Sequence, residues 1–282
     1  MESILVPIDF SDNSMNALNY AIGLAQELNS TITLFNSYPI DVPMAMEYSS
    51  GAYMQSLNTE VKLDREKRLN EIISSYKTIT YKDSDELIRF KLQVREGVAA
   101  DSILLMIEEF NFDLLVMGTK GASGLEEVLL GSIAVSVMEK VKIPIIVVPE
   151  DAKFSQLEKI VYATDFDDKD IEIIDTLQNI GEYFNSEITC LHINTSPSKV
   201  EEEEGKLDAL KRNYFFTPVD QLNFKIISDE KVEHGLQEYI EKNDIDLIVV
   251  TPKERGFIEG IFHKSLSRKL AFHAHTPILV AK

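Results

Sequence analysis

A chain of 282 residues with 28 basic and 47 acidic side chains carries a formal charge of −19, which repels phosphate backbones and anionic lipids and so excludes nucleic acid and membranes as ready partners. With 44% hydrophobic and 27% charged residues it has the apolar surface to fold, at a length that suits two domains better than one. Cys190 stands alone, no apolar run nears the roughly 18 residues of a membrane span, and Met1 leads straight into a strand-like run without a signal-peptide pattern, so a cytoplasmic protein is expected.

In chain order, the first predicted element is a strand over 3–8, a short run of branched apolar residues. Leu18, Ala21, Ile22, Ala25 and Leu28 then recur at helical spacing. Strands follow over 31–36 and 90–94, the second with outward Lys91 and Gln93. Ile103, Leu104, Ile107 and Phe110 predict an amphipathic helix, 114–117 a buried strand, 128–141 a helix, and 144–148 a last strand. Apolar strands alternating with helices predict a parallel sheet covered on both faces. Between the second and third strands, 57–73 is helix-compatible and 48–54 reads as a loop. Nothing in its composition gives the 40–85 insertion a role, though Met44, Met46 and Met54 would suit a cover over a ligand or partner.

The chain then repeats itself. Leu5-Val6-Pro7-Ile8-Asp9-Phe10 matches Val161-Tyr162-Ala163-Thr164-Asp165-Phe166 at an offset of 156, and Asn29-Ser30-Thr31-Ile32-Thr33 matches Asn185-Ser186-Glu187-Ile188-Thr189 at the same offset. Phe112-Asp113-Leu114-Leu115-Val116 matches Ile245-Asp246-Leu247-Ile248-Val249 at an offset of 133, which holds to the last strand. The first copy thus carries about 23 extra residues between its second and third strands. Ile171, Ile174, Leu177 and Phe184 predict the first helix of the second copy. Two α/β domains, each a doubly wound, five-stranded parallel sheet, are expected over 1–150 and 157–282. Asp151, Lys153, Ser155 and Gln156 make the join look like a short polar linker.

Other constellations read as structural. Glu201 to Glu204 is a solvated helix start rather than a metal site, because adjacent like charges repel and lack calcium-loop spacing. All five histidines, His192, His234, His263, His273 and His275, lie in the second copy. His273-Ala274-His275 has no cysteine or further histidine nearby and reads as a helix end rather than a zinc site. Cys190 sits where the first copy has Leu34, as a small buried hydrophobe. Met15, Met106 and Met138 fall on apolar helix faces. No catalytic and no metal-ligating set emerges.

The chemically informative segment is Met117-Gly118-Thr119-Lys120-Gly121-Ala122-Ser123-Gly124, followed by Gly131-Ser132-Ile133-Ala134. It leaves the carboxyl end of a strand and enters a helix, the edge at which open parallel sheets bind ligands. Gly118 and Gly121 allow positive φ and close approach to a bulky anion. Gly131 and Ser132 would offer free amides, a favourable dipole and a hydroxyl to phosphate.

The spacing (Gly, two residues, Gly, nine residues, Gly-Ser) resembles the ATP-binding signature of the universal stress protein family. The resemblance spans the whole chain, since 6–11, Gly97 and 113–118 recur there in this order. It implies a Rossmann-like, nucleotide-binding α-hydrolase-like fold, with ATP as ligand and Mg2+ or Mn2+ carried on the phosphates. By that resemblance, Met117, Gly118, Lys120, Gly121, Gly131, Ser132, Ile133 and Ala134 would line the ribose and triphosphate. Asp9 would approach the ribose or a phosphate-bound metal, and Pro7 with the main chain near Asn36 and Ser37 would surround the base. Ala134 departs from the family by lacking a hydroxyl. The last strand of each copy would form a sheet edge, so intramolecular pairing of the two domains, or a homodimer of such chains, is expected.

The second copy departs further. Gly118 becomes Thr251, Gly121 becomes Glu254, Gly131 becomes Lys264 and Gly97 becomes Glu230, with only Ser132 matched, by Ser265. Pro252 stiffens the loop. No nucleotide is expected there, and Asp165 would have none to meet. The functional expectation is a non-enzymatic, ATP-binding stress-response regulator with an unidentified protein partner. A slow metal-dependent ATPase using Asp9, or a nucleotide-free interaction scaffold, are the alternatives. The loop has no arginine and no base besides Asp9, which argues against turnover.

Overall fold

The first strand, β1 (Ser3–Pro7), is apolar through its middle because both of its faces are covered: Ile4, Leu5 and Val6 are fully buried. The computed structural model describes residues 1–39, 51–119, 131–166, 170–214, 221–251 and 276–282. Two units emerge, Met1–Glu150 and Asp151–Lys282.

In the first unit β1 leads through α1 (Asp12–Leu28) to β2 (Thr31–Tyr38), α2 (Gly51–Ser75), β3 (Phe90–Glu96), α3 (Ala99–Glu109), β4 (Leu114–Gly118), α4 (Ser132–Lys140) and β5 (Ile145–Val148). The strands are parallel in the order β3-β2-β1-β4-β5. Successive crossovers therefore run one way from β1 to β3 and the other way from β4 to β5. The reversal falls between β1 and β4, and a crevice opens at their carboxyl ends.

Local signals set the helix limits. The Ser11 hydroxyl accepts from the Ser14 amide to start α1, and Asn29, with φ 53°, ends it in the left-handed region. Its buried stripe includes Leu18, Ala21, Ile22 and Ala25, as the periodicity predicts. In α3 the buried residues are Ser102, Ile103 and Met106. Phe110 is a correction: it follows the helix end, is 43% exposed, and leans on Phe112. A second correction concerns residues 51–54, which begin α2 rather than forming a loop. The start of the helix expected over 128–141 falls partly outside the described residues.

The second unit runs β6 (Lys159–Ala163), α5 (Asp170–Phe184), β7 (Glu187–Asn194), α6 (Val200–Lys211), β8 (Leu222–Ser228), α7 (Val232–Asn243), β9 (Leu247–Val250) and β10 (Ile278–Val280). Its parallel order, β8-β7-β6-β9-β10, repeats the first. The repeat extends to individual bonds. Asp113 Oδ2 accepts from the amides of Glu2 and Ser3 at 2.6 and 3.0 Å, and Asp246 Oδ2 accepts from Glu158 and Lys159 at 3.0 and 2.9 Å. Each carboxylate pins the start of its unit's central strand. Phe10 (φ 66°) and Phe166 (φ 56°) make the same left-handed turn out of that strand.

In the linker Asp151, Lys153, Ser155 and Gln156 are exposed, while Ala152 and Leu157 are buried. Cys190 is fully buried in β7, and burial pushes its thiol well above the usual range, as suits a core position. Among the described residues no helix is long and apolar enough to cross a membrane.

Candidate functional site

At the carboxyl ends of β1, β2 and β4 the first unit holds a cleft of about 720 Å³, counting its open mouth. Two glycines shape it. A Cβ on Gly118 would stand 2.6 Å from Asn13 Oδ1 and 3.0 Å from the Asn13 carbonyl oxygen, so only glycine lets the first turn of α1 close on the end of β4. Its φ is not positive, which corrects one half of the expectation, and the close approach seen is to helix α1. Gly97, with φ 145°, is the described glycine that uses the left-handed half of backbone space, turning β3 into α3 while its amide bonds the Tyr38 carbonyl.

Of the residues singled out in the sequence, Pro7, Asp9, Asn36, Ser37, Met117, Gly118, Gly131, Ser132, Ile133 and Ala134 line this one cleft. Lys120 and Gly121 lie outside the described residues. Ile8, Ser14, Phe35, Ala99, Ile103 and Thr119 complete the wall and were not anticipated. Ala99 and Ile103 could have been found: they are one helical turn apart at the start of α3, directly after Gly97.

The cleft has two chemically distinct ends. Ile8, Phe35, Ile103 and Met117 give an apolar slot. Beside it Asn36 donates from Nδ2 to the Ile8 carbonyl at 2.7 Å, leaving Oδ1 buried without a hydrogen-bond partner among the described residues. At the other end, the Gly131 amide bonds the Thr119 carbonyl at 2.6 Å and the Gly131 carbonyl accepts from Val135. Helix α4 therefore begins without a side-chain cap, and the amides of Ser132, Ile133 and Ala134 lack helical acceptors. Asp9 sits exposed at the rim, where Oδ1 accepts from the Ser11 amide at 3.0 Å and its hydroxyl at 2.5 Å. It orders the turn from β1 into α1.

The insertion helix α2 packs beside this edge. The Tyr38 phenol donates to Asn58 Oδ1 at 2.5 Å, and Asn58 Nδ2 donates to Glu96 at 2.7 Å. Burial, with the carboxylates of Glu96 and Glu66, raises the Tyr38 phenol above its usual range, so it stays a donor. Arg68 stacks 3.7 Å over the Phe10 ring and Arg65 lies 5.5 Å from it. Two arginines thus reach the residue after Asp9, which the loop sequence gave no hint of.

The second unit fills the corresponding positions. Tyr162, Thr164 and Asp170 stand where the first unit has Val6, Ile8 and Ser14. Asp170 is fully buried at the start of α5; it accepts from the Tyr162 phenol at 2.7 Å and from the Thr164 hydroxyl. Burial, then the Asp170 carboxylate, pushes the phenol far above its usual range. Thr251, opposite Gly118 in the repeat, hydrogen-bonds the same phenol. Gly97 has a different counterpart than the sequence offset suggests. Register along β7 and β8 puts Asp229 in its place, with its amide on the Asn194 carbonyl, and Glu230 is one extra residue before α7. Pro252, Glu254, Lys264, Ser265, His263, His273 and His275 lie outside the described residues.

The universal stress protein family matches the chain twice, over residues 1–149 and 156–282. A universal stress protein of Methanocaldococcus jannaschii is 29% identical over 153 residues, covering 54% of this chain and 84% of that protein. The stress response protein NhaX of Bacillus subtilis is 25% identical over 164 residues, covering 52% of this chain and 97% of its own length. The crystal structure of a universal stress protein from Archaeoglobus fulgidus aligns over 99% of this chain and 96% of that one, with a TM-score of 0.68 at 18% identity, a likeness of fold.

Proposed function

The chain belongs to the universal stress protein family, and from that premise we propose that its first unit binds ATP in the cleft at β1 and β4, as a cytoplasmic regulator whose nucleotide occupancy is read by a protein partner. The two-ended cleft carries this reading. Its apolar slot suits a flat base, and the unspent Asn36 Oδ1 suits a base that offers an exocyclic amine. The uncapped start of α4, with the Ser132 hydroxyl, suits phosphate oxygens. Among the described residues no three His, Cys, Asp or Glu side chains converge as a metal site, so Mg2+ or Mn2+ would ride on the phosphates, with Asp9 the nearest carboxylate.

Binding rather than turnover is favoured because Asp9 is engaged with Ser11 in ordering a turn. Hydrolysis should stay below about one turnover per minute, against a typical enzyme median of about 10 per second. The second unit binds no nucleotide in this reading, since Tyr162, Thr164 and Asp170 are bonded to one another where an opening would be needed. Calorimetry with ATP on the full chain should give a stoichiometry near one. Gly131→Lys, which sets a long side chain over the α4 amides, should weaken binding by at least about 100-fold, or roughly 2.7 kcal/mol. Two sites per chain, or affinity untouched by that substitution, would sink the proposal.

A further inference from the structure

Position 192 in β7 corresponds to Asn36 in β2, and the histidine there makes the same bond to the neighbouring strand. Nδ1 of His192 lies 2.8 Å from the Thr164 carbonyl oxygen, as Asn36 Nδ2 lies 2.7 Å from that of Ile8. A carbonyl can only accept, so Nδ1 carries a proton. The other ring nitrogen, Nε2, is buried and has no hydrogen-bond partner among the described residues. Facing it at 3.3 Å is Glu203 Oε2 from α6, equally buried and equally unsatisfied. A neutral ring protonated on Nδ1 would set a nitrogen lone pair against a carboxylate lone pair where little water enters. One more proton, on Nε2, turns that repulsion into a charge-assisted bond that satisfies both atoms.

We propose that His192 and Glu203 form a proton-operated clasp: the doubly protonated ring fastens α6 to the end of β7, and loss of the Nε2 proton loosens the helix. The described charges around the ring favour the closed form. Asp165 Oδ1, after β6, lies 3.8 Å from Nδ1, while Lys206 of α6 is occupied with Glu202 at 2.8 Å. The Phe166 ring covers another side at 5.3 Å, and Glu201, Glu202 and Glu204 are exposed. The clasp therefore closes when Nε2 gains a proton and opens when that proton is lost. The first unit fastens α2 to the end of β2 with Tyr38 and Asn58, a pair that does not titrate there.

Hydrogen-exchange protection factors measured on the full chain from about pH 5.5 to 8.5 test this. Protection of α6 should fall several-fold more than that of α7 as pH rises. His192→Asn keeps a donor for the Thr164 carbonyl, as Asn36 does for Ile8, and should abolish the pH response of α6. Glu203→Gln can donate to a neutral Nε2 and should hold α6 at one level of protection throughout, which serves even if His192→Asn folds poorly. The same pH response in wild type and Glu203→Gln would overturn the clasp. So would a ring-nitrogen NMR signal of neutral His192 under conditions where α6 is still fully protected.

Discussion

The two units share a frame and differ where their strands end. Paired carboxylate pins at Asp113 and Asp246, left-handed turns at Phe10 and Phe166, and asparagine helix ends at Asn29 and Asn185 recur almost bond for bond. Beyond the strand ends the likeness stops. Ile8 and Ser14 border an open cleft in one unit, with Val6 buried behind them, while Tyr162, Thr164 and Asp170 knit a buried hydroxyl–carboxylate network in the other. Even the turn phenylalanines are covered differently, Phe10 by arginines of α2 and Phe166 by His192. The frame and the cleft are thus separable: the two units share the first and differ in the second, at Tyr162, Thr164 and Asp170 among other positions.

That separation can be broken by experiment. The largest effect should come from Asp170→Ala, which takes the carboxylate acceptor from both the Tyr162 and Thr164 hydroxyls in a dry interior and should cost the second unit about 2–4 kcal/mol. Ser14→Ala, at the same position of the first unit, should cost less than about 1 kcal/mol. Urea unfolding followed by exchange of β1 and β6 amides would read both, and equal losses would erase the distinction. A frame element should behave in the opposite way. Asp113→Ala and Asp246→Ala remove the same pair of amide bonds and should each cost its own unit about 1 kcal/mol, discounted for solvent exposure. A loss in one unit more than twice that in the other would show that the frame is not shared energetically.

The smallest effect concerns the residue that replaces Gly97. Asp229 Oδ2 lies 2.7 Å from His234 Nδ1, a bond that raises the His234 imidazole and, with the Lys231 amide, lowers the Asp229 carboxyl. The raised imidazole contributes stability that is complete below its ordinary range and is lost as pH rises through its folded value. The lowered carboxyl contributes stability present above its ordinary range and lost as pH falls through its depressed value. The pair therefore supports the start of α7 between those two limits. His234→Ala should flatten a shallow, salt-sensitive maximum in α7 protection, with no counterpart around Gly97 and α3.

Much of the frame was legible in the sequence because one-sided burial imposes periods. The stripe from Leu18 to Ala25 and the runs 114–117 and 144–148 could hardly be anything but a helix and covered strands. The cleft was half legible: glycines and strand-end polar residues stood out, whereas Ile8, Phe35 and Ile103 look like any core residue until the sheet is assembled. The extra residue before α7 was hidden, because only strand register tells Asp229 from Glu230 as the partner of Gly97. Glu203 was misplaced among solvated carboxylates, yet a signal existed. It precedes Leu207 and Leu210 by four and seven residues, on the face of α6 that is buried. Tyr162, Thr164 and Asp170 gave no such signal, since hydroxyls along a strand and an aspartate after Asp167-Asp168-Lys169 look like exposure rather than mutual satisfaction.

Helix α2 is longer than the sheet it lies on. The Tyr38 phenol, at the end of β2, meets it at Asn58, so the seven residues from Gly51 to Leu57 run on for about 10 Å beyond that contact. Mechanically this is a rod with a fulcrum. Its grip on the Phe10 ring, at Arg65 and Arg68, lies about 21 Å or more along the helix from Gly51, and Phe10 is one peptide bond away from Asp9. About that fulcrum, a push of about 2 Å at Gly51 would tilt the rod by about 11°. The arms on the two sides of Asn58, about 10 Å to Gly51 and about 10–15 Å to Arg65 and Arg68, are of similar length, so a displacement of the Phe10 turn would reach the Gly51 end of the helix with little loss.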